Sequence, residues 1–332
     1  MSDDALPAAR RDWLPVLLLP ALALLALPFI PSLPTWVTLS VAGLAMGMMI
    51  FIMASGLTLV FGLMDVMNFA HGVFISIGAY AAVSVLIPMK AMMQADSLAT
   101  NLTAIAPAIL AAMAVGGLLG WFFERVLIRP VYGDHLKQIL VTMGGLIVAE
   151  QAIHVVWGPD MIPAPRPASM SGAFTFGDIA VEKYRVLAVV VGLAVFAVMA
   201  LVLNRTRLGL LIRAGVENPE MVESLGYRIR RLFIGVFVAG SALAGLGGAM
   251  WAMYQETVFA GMGMQLMVLI FIVIIVGGMG SVTGCFIGAL LVGLVANYTG
   301  FIAPKLALGS NILLMVLVLL WRPRGLYAIG RS

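Results

Sequence analysis

Ten apolar stretches leave this chain few ways to fold. A helix that crosses a bilayer needs about 20 mostly apolar residues, and lipid forces its backbone polar groups to hydrogen bond within the helix. Only 10% of the 332 residues are charged and 62% are hydrophobic, whereas a soluble domain carries about 25% charged residues. The sequence therefore predicts an all-α, polytopic transmembrane helix bundle in which a single transmembrane domain covers residues 1–332. Its predicted spans, about ten in number with eight to ten complete crossings, are residues 13–30, 36–62, 69–88, 102–123, 138–157, 186–203, 232–252, 266–276, 284–300 and 311–321.

Glycines recur four residues apart in several of these spans, which places them on one face of a helix. Because a glycine face lets two backbones approach closely, and packing drives helix association in lipid, the spacing predicts a tight bundle. The glycines around Gly278 also favour a bend that would return the chain before a full crossing. The spaced glycines are Gly43 and Gly47, Gly116 and Gly120, and the series Gly280, Gly284 and Gly288.

The distribution of basic residues predicts the orientation of the bundle. With a cytoplasmic N-terminus, 14 of the 19 Lys and Arg residues fall in cytoplasmic loops, five fall on the opposite side and none falls within a span. This split follows the positive-inside rule, so both termini are predicted to be cytoplasmic and no nucleic-acid partner is needed. The cytoplasmic set is Arg10, Arg11, Arg125, Arg129, Lys137, Arg205, Arg207, Arg213, Arg228, Arg230, Arg231, Arg322, Arg324 and Arg331, and the opposite set is Lys90, Arg166, Lys183, Arg185 and Lys305.

The first apolar stretch, residues 13–30, resembles a signal peptide because it follows two arginines. No small-residue cleavage site comes after it, and Pro28, Pro31 and Pro34 crowd its exit. We expect a retained anchor helix.

One carboxylate, that of Glu150, lies well inside a predicted span. Inserting a charged carboxylate at mid-bilayer costs about 2.5–3.5 kcal/mol of free energy, so the carboxylate needs a partner or a water-filled cavity. His154 lies four residues later on the same helix face. Three interpretations stay open: a polar lining of a solute path or a proton site, a structural Glu–His pair, and a carboxylate hydrated near the interface.

A second polar cluster, Asp65, Asn68 and His71, lies in a short connection between two apolar spans. Asp65 and Asn68 are good helix N-cap residues, which predicts that they accept hydrogen bonds from N–H groups at the start of the third span. His71 enters that helix three residues later. We expect His71 to be a hydrogen-bonded structural residue, with a ligand or a base as the alternative.

The most basic loop, residues 204–231, is predicted to contain a helix outside the membrane. Pro219 suits the first turn of a helix, Asn218 suits its N-cap and Glu220 is favourable in the first turn. Gly226 suits the left-handed position after the helix. Since a connector needs only about five residues, the helix at 219–225 indicates a docking surface for a partner. The alternative is an arginine anchor for lipid headgroups.

The motifs GxxxxGK[ST], HExxH and GxSxG are absent from the sequence. Any energy source or catalytic step that the protein needs must then be supplied by another chain. We expect no bound cofactor, no metal and no enzymatic activity of this chain. The single cysteine, Cys285, lies in an apolar stretch and cannot form a disulfide or a cysteine metal cluster within the chain. We expect it to be a small buried apolar residue.

Five motifs follow one another over residues 40–327. The run GLTLVFG at 56–62 leads to NFAHG at 68–72 and IGAY at 77–80. ERVLIRP at 124–130 comes next, then Arg213-Ala214 through Asn218 to Leu225-Gly226, then VGGMGSVTG at 276–284 and RPRGL at 322–326. In this order the chain resembles the membrane permeases of branched-chain amino acid ABC importers, the LivH-type subunit in particular. It departs from that pattern at Val73, where the family often has an acidic residue, and in its additional first span.

The resemblance implies one subunit of a heteromeric importer in the bacterial inner membrane. Its partners would be a second, LivM-type permease, two cytoplasmic ATPase subunits that hydrolyse the ATP, a periplasmic solute-binding protein and membrane lipid. The path would run between the two permeases. The element received by an ATPase groove would include Arg213, Glu217, Asn218, Glu220 and Gly226, and the path would include Ser55, Thr58, Asn68, His71, Ser76, Thr142, Glu150 and Gln151.

The solute and the source of energy have alternatives. Leucine, isoleucine and valine are the expected solutes, but related permeases carry urea, short amides or aromatic acids, and the same lining would suit them. An ion-coupled secondary transporter would need an ion or proton site, for which Glu150 and His154 are the available residues. A membrane-embedded enzyme would need catalytic residues gathered at one depth, and the sequence offers only these two and His71.

Overall fold

The computed structural model describes residues 13–327, except for the side chains of Val216, Glu217, Pro219 and Leu308. Arg10, Arg11 and Arg331, on which part of the predicted orientation depends, lie outside the described residues. Each of the ten predicted spans corresponds to an apolar helix. These helices are α1 (Leu14–Ala26), α2 (Leu33–Met64), α3 (His71–Leu86), α5 (Leu98–Phe123), α6 (His135–Trp157), α7 (Lys183–Arg205), α10 (Ile229–Gln255), α11 (Met262–Gly277), α12 (Val282–Ile302) and α13 (Ala307–Trp321).

Three further α-helices and four short strands connect these helices in the described chain. The helices are α4 (Lys90–Met93), α8 (Arg207–Glu217) and α9 (Pro219–Ser224). The strands β1 (Ile162–Pro163) and β4 (Thr257–Val258) pair antiparallel, as do β2 (Ala173–Phe176) and β3 (Ile179–Glu182). These small sheets were not predicted by the all-α interpretation, which otherwise agrees with the structure.

Within residues 13–327, six helices are long and apolar enough to cross a membrane, namely α2, α5 with its continuation to Val131, α6, α7, α10 and α12. The other four apolar helices, α1, α3, α11 and α13, are shorter. The continuation of α5 contains a π-helical turn, Glu124–Ile128. The chain is therefore a multi-pass membrane protein built as a helical bundle.

The centre of the bundle consists of α2, α3, α5, α10 and α12. Helix α10 packs against α2, α3 and α5, whereas α12 packs against α2 and α11. In the most apolar window of α2, 78% of the residues are buried, but only 17% are buried in that of α7. Helix α7 and its peripheral neighbours thus present exposed apolar side chains, which suit a lipid environment.

Side-chain caps explain where several helices begin. Ser32, Ser97, Asp134 and Ser281 each accept a hydrogen bond from an N–H group in the first turn of α2, α5, α6 and α12, respectively. Asp65 does not act in this way, so its predicted N-cap role is wrong. It instead ends α2 in the left-handed conformation at φ 52°, which Asp tolerates better than most residues.

The spaced glycines lie at close helix contacts, as predicted. Gly43 and Gly47 face the backbone of α12, and Gly116 and Gly120 face Ser241 of α10. The closest approaches include Gly56 against Gly240 and Gly72 against Gly263, where a Cβ atom on either residue would overlap the opposite backbone. Small residues therefore set the distances between helices.

Helix α1 belongs to the bundle. The indole Nε1 of Trp36 donates a hydrogen bond to the carbonyl oxygen of Ala23 at 2.8 Å. Ala26 and Ile30 form a small apolar cluster with Leu294 and Tyr298. This packing is consistent with a retained helix, and its retention stays a prediction.

Candidate functional site

The connection between α2 and α3 is held by side chains of α6. The N–H group of Met67 donates to Oε1 of Gln138 at 3.2 Å, and the N–H group of Phe69 donates to Oγ1 of Thr142 at 3.3 Å. The Thr142 hydroxyl in turn donates to the carbonyl oxygen of Gln138 at 2.7 Å. These bonds satisfy backbone groups that no helix satisfies, so α6 fixes the position of the connection. Gln138 was missed at the sequence level, although it precedes Thr142 by one helical turn.

His71 is hydrogen bonded, as expected, and its place in a solute path stays a prediction. Its side chain is fully buried, and its Nε2 lies 2.9 Å from the carbonyl oxygen of Met53. A carbonyl oxygen only accepts, so Nε2 carries the proton and Nδ1 is left without a partner in the described structure. Asn68 is also buried, and its Oδ1 accepts from the N–H group of Ala70 at 3.1 Å. Asn68 thus satisfies the N–H group of the residue that precedes α3, but it is not the N-cap that was predicted: the N-cap is Ala70, and no side chain caps this helix.

Ser76 joins α3 to the start of α11. Its hydroxyl donates to the carbonyl oxygen of Ala260 at 2.8 Å and accepts from the N–H group of Gly263 at 2.9 Å. The side chain is 2% exposed. One buried hydroxyl therefore satisfies two backbone groups at the start of α11 that no helical bond satisfies.

Glu150 and Ser76 line the same small cavity, together with Gly72, Val73 and Met264. The cavity measures about 10 Å³, which is roughly the room that one water molecule needs. The carboxylate of Glu150 has no hydrogen bond or ion pair to any described residue, and in particular none to His154. The structural Glu–His pair is therefore wrong: the buried Nδ1 of His154 has no partner among the described residues.

The remaining predicted path residues do not gather at this cavity. Ser55 and Thr58 are fully buried in α2, where their hydroxyls donate to the carbonyl oxygens of Ile52 and Ala54. Gln151 is exposed on the outer face of α6. The structure thus brings together Asn68, Thr142 and Gln138 at the connection, and Ser76 with Glu150 at the cavity.

An ion-pair network holds the segment between α6 and α7 to the end of α10. Nη1 of Arg166 lies 2.9 Å from Glu182 and 3.3 Å from Glu256, and Nε of Arg185 lies 2.7 Å from Glu182. Burial raises the pKa of Glu182, but hydrogen bonds and charges from Arg185 and Arg166 outweigh it and lower the pKa overall. Sequence reasoning assigned these residues only to a loop, because their partners are distant in the chain.

The predicted exterior helix is present as α9. Oδ1 of Asn218 accepts from the N–H group of Met221 at 2.9 Å, and Gly226 follows the helix with φ 85°. Glu220 is exposed, as is Arg213, whose Nη2 donates to the carbonyl oxygen of Leu203 at 3.1 Å. The side chain of Glu217 lies outside the described structure.

Helix α8, which precedes α9, was not predicted. Thr206 caps it by accepting from the N–H group of Gly209. Leu208, Leu211 and Ile212 recur at positions i, i+3 and i+4, a helical signal that the sequence does carry. The exterior segment is therefore a pair of helices.

A basic groove lies beside α9. Its volume is about 610 Å³, and its lining includes Arg125, Arg129, Arg228, Arg230 and Arg231, with Glu223 as the acidic side chain. Two basic stretches that the charge pattern placed on one side of the membrane thus meet in space.

Glu124, which precedes Arg125 of this groove, is a buried carboxylate. It is 1% exposed, and its Oε1 accepts from the hydroxyl of Tyr132 at 3.1 Å. Burial raises the pKa of Tyr132, and the charge of Glu124 raises it further. The tyrosine therefore stays a neutral hydrogen-bond donor.

The comparison with protein families decides between the classes of membrane protein that this geometry allows. The family described as the permease component of the branched-chain amino acid transport system matches residues 39–321. The chain belongs to this permease family. It matches the high-affinity branched-chain amino acid transport system permease protein BraD of Pseudomonas aeruginosa at 30% identity, over 88% of this chain and 94% of BraD.

Two further relatives come from Escherichia coli. This permease is 26% identical to LivH, over 87% of this chain and 94% of LivH, and 28% identical to LivM, over 95% of this chain and 75% of LivM. Both are high-affinity branched-chain amino acid transport system permease proteins. No solved structure matches this permease.

Proposed function

We propose that this chain is one of two permease subunits in an ATP-driven importer of branched-chain amino acids. The observation that carries the proposal is the family match over residues 39–321. The match extends from within α2 to the end of α13 and includes the exterior helix pair; α1 lies outside it. The chain has no nucleotide-binding motif of its own, so ATP is hydrolysed by two partner ATPases, and a periplasmic protein delivers the solute.

In this proposal all ten apolar helices belong to the membrane domain of a bacterial inner-membrane protein, and both termini are cytoplasmic. The arginines of the basic groove mark the cytoplasmic end, in agreement with the positive-inside rule. The Arg166–Glu182–Arg185 network then lies on the periplasmic side, where the binding protein docks. The four shorter helices are completed to membrane thickness by flanking turns or by tilt.

The second subunit is a related, LivM-type permease. The similarity of this chain to both LivH and LivM supports a pair of homologous subunits with a path between them. We propose that helix α6 lines the path between the two permeases. It combines exposed Gln151 with Glu150, whose carboxylate has no partner among the described residues, and an unpaired carboxylate at this depth indicates a polar path.

The cavity beside Glu150 is too small for an amino acid, so the conformation described here is closed at this point. We propose that movement of α6 relative to α3 and α11 opens it, and that Glu150 then pairs with the ammonium group of the solute. Ser76, Asn68, His71 and Thr142 act by holding the surrounding backbone. Ser55 and Thr58 stay predicted path residues, although both hydroxyls bond to their own helix in this conformation.

Helices α8 and α9 are the coupling segment that receives the movement of an ATPase. Helix α9 is six residues long, or about 9 Å, and the Asn218 cap and Gly226 define its two ends. Arg213, Glu217 and Glu220 are the charged residues that we assign to the contact.

The solute is tested by competition in reconstituted vesicles that contain both permeases, the ATPases and the binding protein. We expect unlabelled leucine, isoleucine and valine to compete with labelled leucine, and urea, short amides and aromatic acids not to compete. Uptake of urea or of an aromatic acid without uptake of leucine would contradict the proposed solute and leave the family assignment intact.

A further inference from the structure

An apolar crevice separates α7 from α10 on the outer surface of the bundle. Its volume is about 990 Å³. Valines of α7, including Val195 and Val198, form one wall, and residues of α10, including Ala239 and Leu243, form the other. Leu59 of α2 forms part of the floor. The crevice is therefore an open apolar slot within the membrane domain and lies away from Glu150.

The crevice is deep enough to hold the acyl chains of one leaflet. Its lining extends from Val190 to Leu203 on α7 and from Ile229 to Leu246 on α10. At about 1.5 Å per residue, these walls are roughly 20 and 25 Å long. A leaflet contributes roughly 15 Å, which is half of the hydrocarbon core.

The mouth of the crevice is basic. Tyr227, Arg228 and Arg231 line both the apolar crevice and the basic groove beside α9, so the two spaces are continuous. No described carboxylate lies within ion-pair distance of Arg228 or Arg231. Glu223 lines the groove, but five arginines leave its charge strongly positive. An apolar slot that is at least as deep as one leaflet and opens onto unpaired guanidinium groups is complementary to a lipid with a negative headgroup.

We propose that the crevice binds an anionic phospholipid, with the acyl chains between α7 and α10 and the phosphate on Arg228 and Arg231. A protein helix in the same slot would fill the apolar part and leave the arginines without counter-charges. A zwitterionic lipid would fill the slot equally well but would bring its own cation to the basic mouth.

The proposed lipid lies directly beneath α8 and α9. Leu211 and Ile212 of α8 and Val222 of α9 line the crevice at its basic end. A bound lipid therefore supports the apolar faces of both exterior helices. If these helices couple to an ATPase, which rests on the proposed function, the lipid holds them in position, but the binding site itself does not depend on that role.

Native mass spectrometry of the full-length, delipidated chain in detergent tests the site with phosphatidylglycerol and phosphatidylcholine as probes. The double variant Arg228→Gln/Arg231→Gln removes the headgroup contacts, and Ala239→Trp fills the slot. Arg324→Gln and Leu193→Trp are matched controls, because Arg324 lies outside the groove and Leu193 is exposed on α7 outside the crevice.

We expect one tightly bound phosphatidylglycerol that exceeds phosphatidylcholine in affinity by about tenfold or more. The double variant should lose this preference while it still binds lipid, and Ala239→Trp should lose the bound molecule altogether. Both controls should behave as wild type. Equal binding of the two lipids, or a preference that survives both crevice variants, would show annular lipid only and overturn the proposal.

A cross-linking arm distinguishes a protein occupant. With a photoreactive acyl chain on phosphatidylglycerol, labelled peptides should come from residues 190–203 and 229–246 in the chain assembled with its second permease. Labelling that is present in the isolated chain and abolished on assembly would assign the crevice to a subunit interface and overturn the proposal. Neither the mass spectrometry nor the cross-linking experiment measures transport. Failure of the proposed function would therefore leave both tests unaffected.

Discussion

The hydroxyl of Ser76 in α3 donates a hydrogen bond to the carbonyl oxygen of Ala260 at 2.8 Å, and the two residues are 184 positions apart in the chain. The same hydroxyl accepts from the N–H group of Gly263. Replacement by Ala should therefore leave two buried backbone groups unsatisfied, at a cost of about 1–3 kcal/mol each. We expect Ser76→Ala to lower the thermal unfolding midpoint in detergent. Ser310→Ala, which removes only a local bond to Ala307, should change it far less.

The contact between Gly72 and Gly263 should tolerate no side chain. A Cβ atom on Gly263 would overlap the backbone of Gly72, so Gly263→Ala must separate α3 from α11. Gly144→Ala in α6 is the control, since a Cβ atom there meets nothing within 4 Å and alanine favours a helix by about 1 kcal/mol over glycine. We expect Gly263→Ala to destabilise the detergent-solubilised protein and Gly144→Ala to be neutral or stabilising. Equal effects would contradict the close contact.

Acidification should loosen the segment around β3. Because the pKa of Glu182 is lowered in the folded protein, its ion pairs contribute fully above the ordinary glutamate pKa of about 4.3. This contribution is lost as the pH falls through the lowered value. The hydrogen-exchange protection factors of residues 173–182, which compare the exchange rate with the intrinsic rate at the same pH, should therefore fall below about pH 4. Glu182→Gln should show low protection already at pH 7, with little further change on acidification; a pH-dependent loss of protection retained in this variant would assign the effect to other groups.

Glu150 should contribute to solute binding through its charge. A charge-assisted hydrogen bond contributes about 1.5–3 kcal/mol, and each 1.4 kcal/mol is a factor of ten. We therefore expect Glu150→Gln to raise the KM for leucine uptake by about tenfold or more. Asp160→Asn removes an exposed carboxylate from the loop after α6 and should leave the KM unchanged. An unaltered KM in Glu150→Gln would remove this residue from the path.

The helices were predictable from the sequence because lipid imposes a strong local rule. A run of apolar residues must be helical, so all ten predicted spans correspond to helices, and Asn218, Pro219 and Gly226 placed α9 within one residue. Helix α8 was missed because its apolar face is only three residues, and β2 and β3 were missed because their pairing is specified by a turn in a long polar loop.

The polar contacts were harder to predict because their partners come from distant parts of the chain. Glu150 and His154 share a helix face but form no hydrogen bond. Glu150 lies at the cavity beside α3, and His154 has no partner among the described residues. Gln138 holds Met67 across 71 positions, and Tyr132 bonds to Glu124 across a π-helical turn and a 3-10 turn, which the sequence pattern did not predict. The periodicity of apolar residues alone does not predict which of these side chains form hydrogen bonds.

The central claim is that ATP hydrolysis by partner subunits drives transport through a coupling segment of which α9 is part. Gly226 ends this segment at φ 85°, a conformation that proline cannot adopt. The most direct measurement is labelled-leucine uptake into vesicles that contain both permeases, the ATPases and the binding protein, with wild type, Gly226→Pro and the control Gly177→Ala compared at equal insertion. We predict that uptake requires ATP, that Gly226→Pro abolishes it without loss of the inserted protein, and that Gly177→Ala retains it. Uptake that persists without ATPase subunits under an ion gradient, or that is unchanged in Gly226→Pro, would contradict the account.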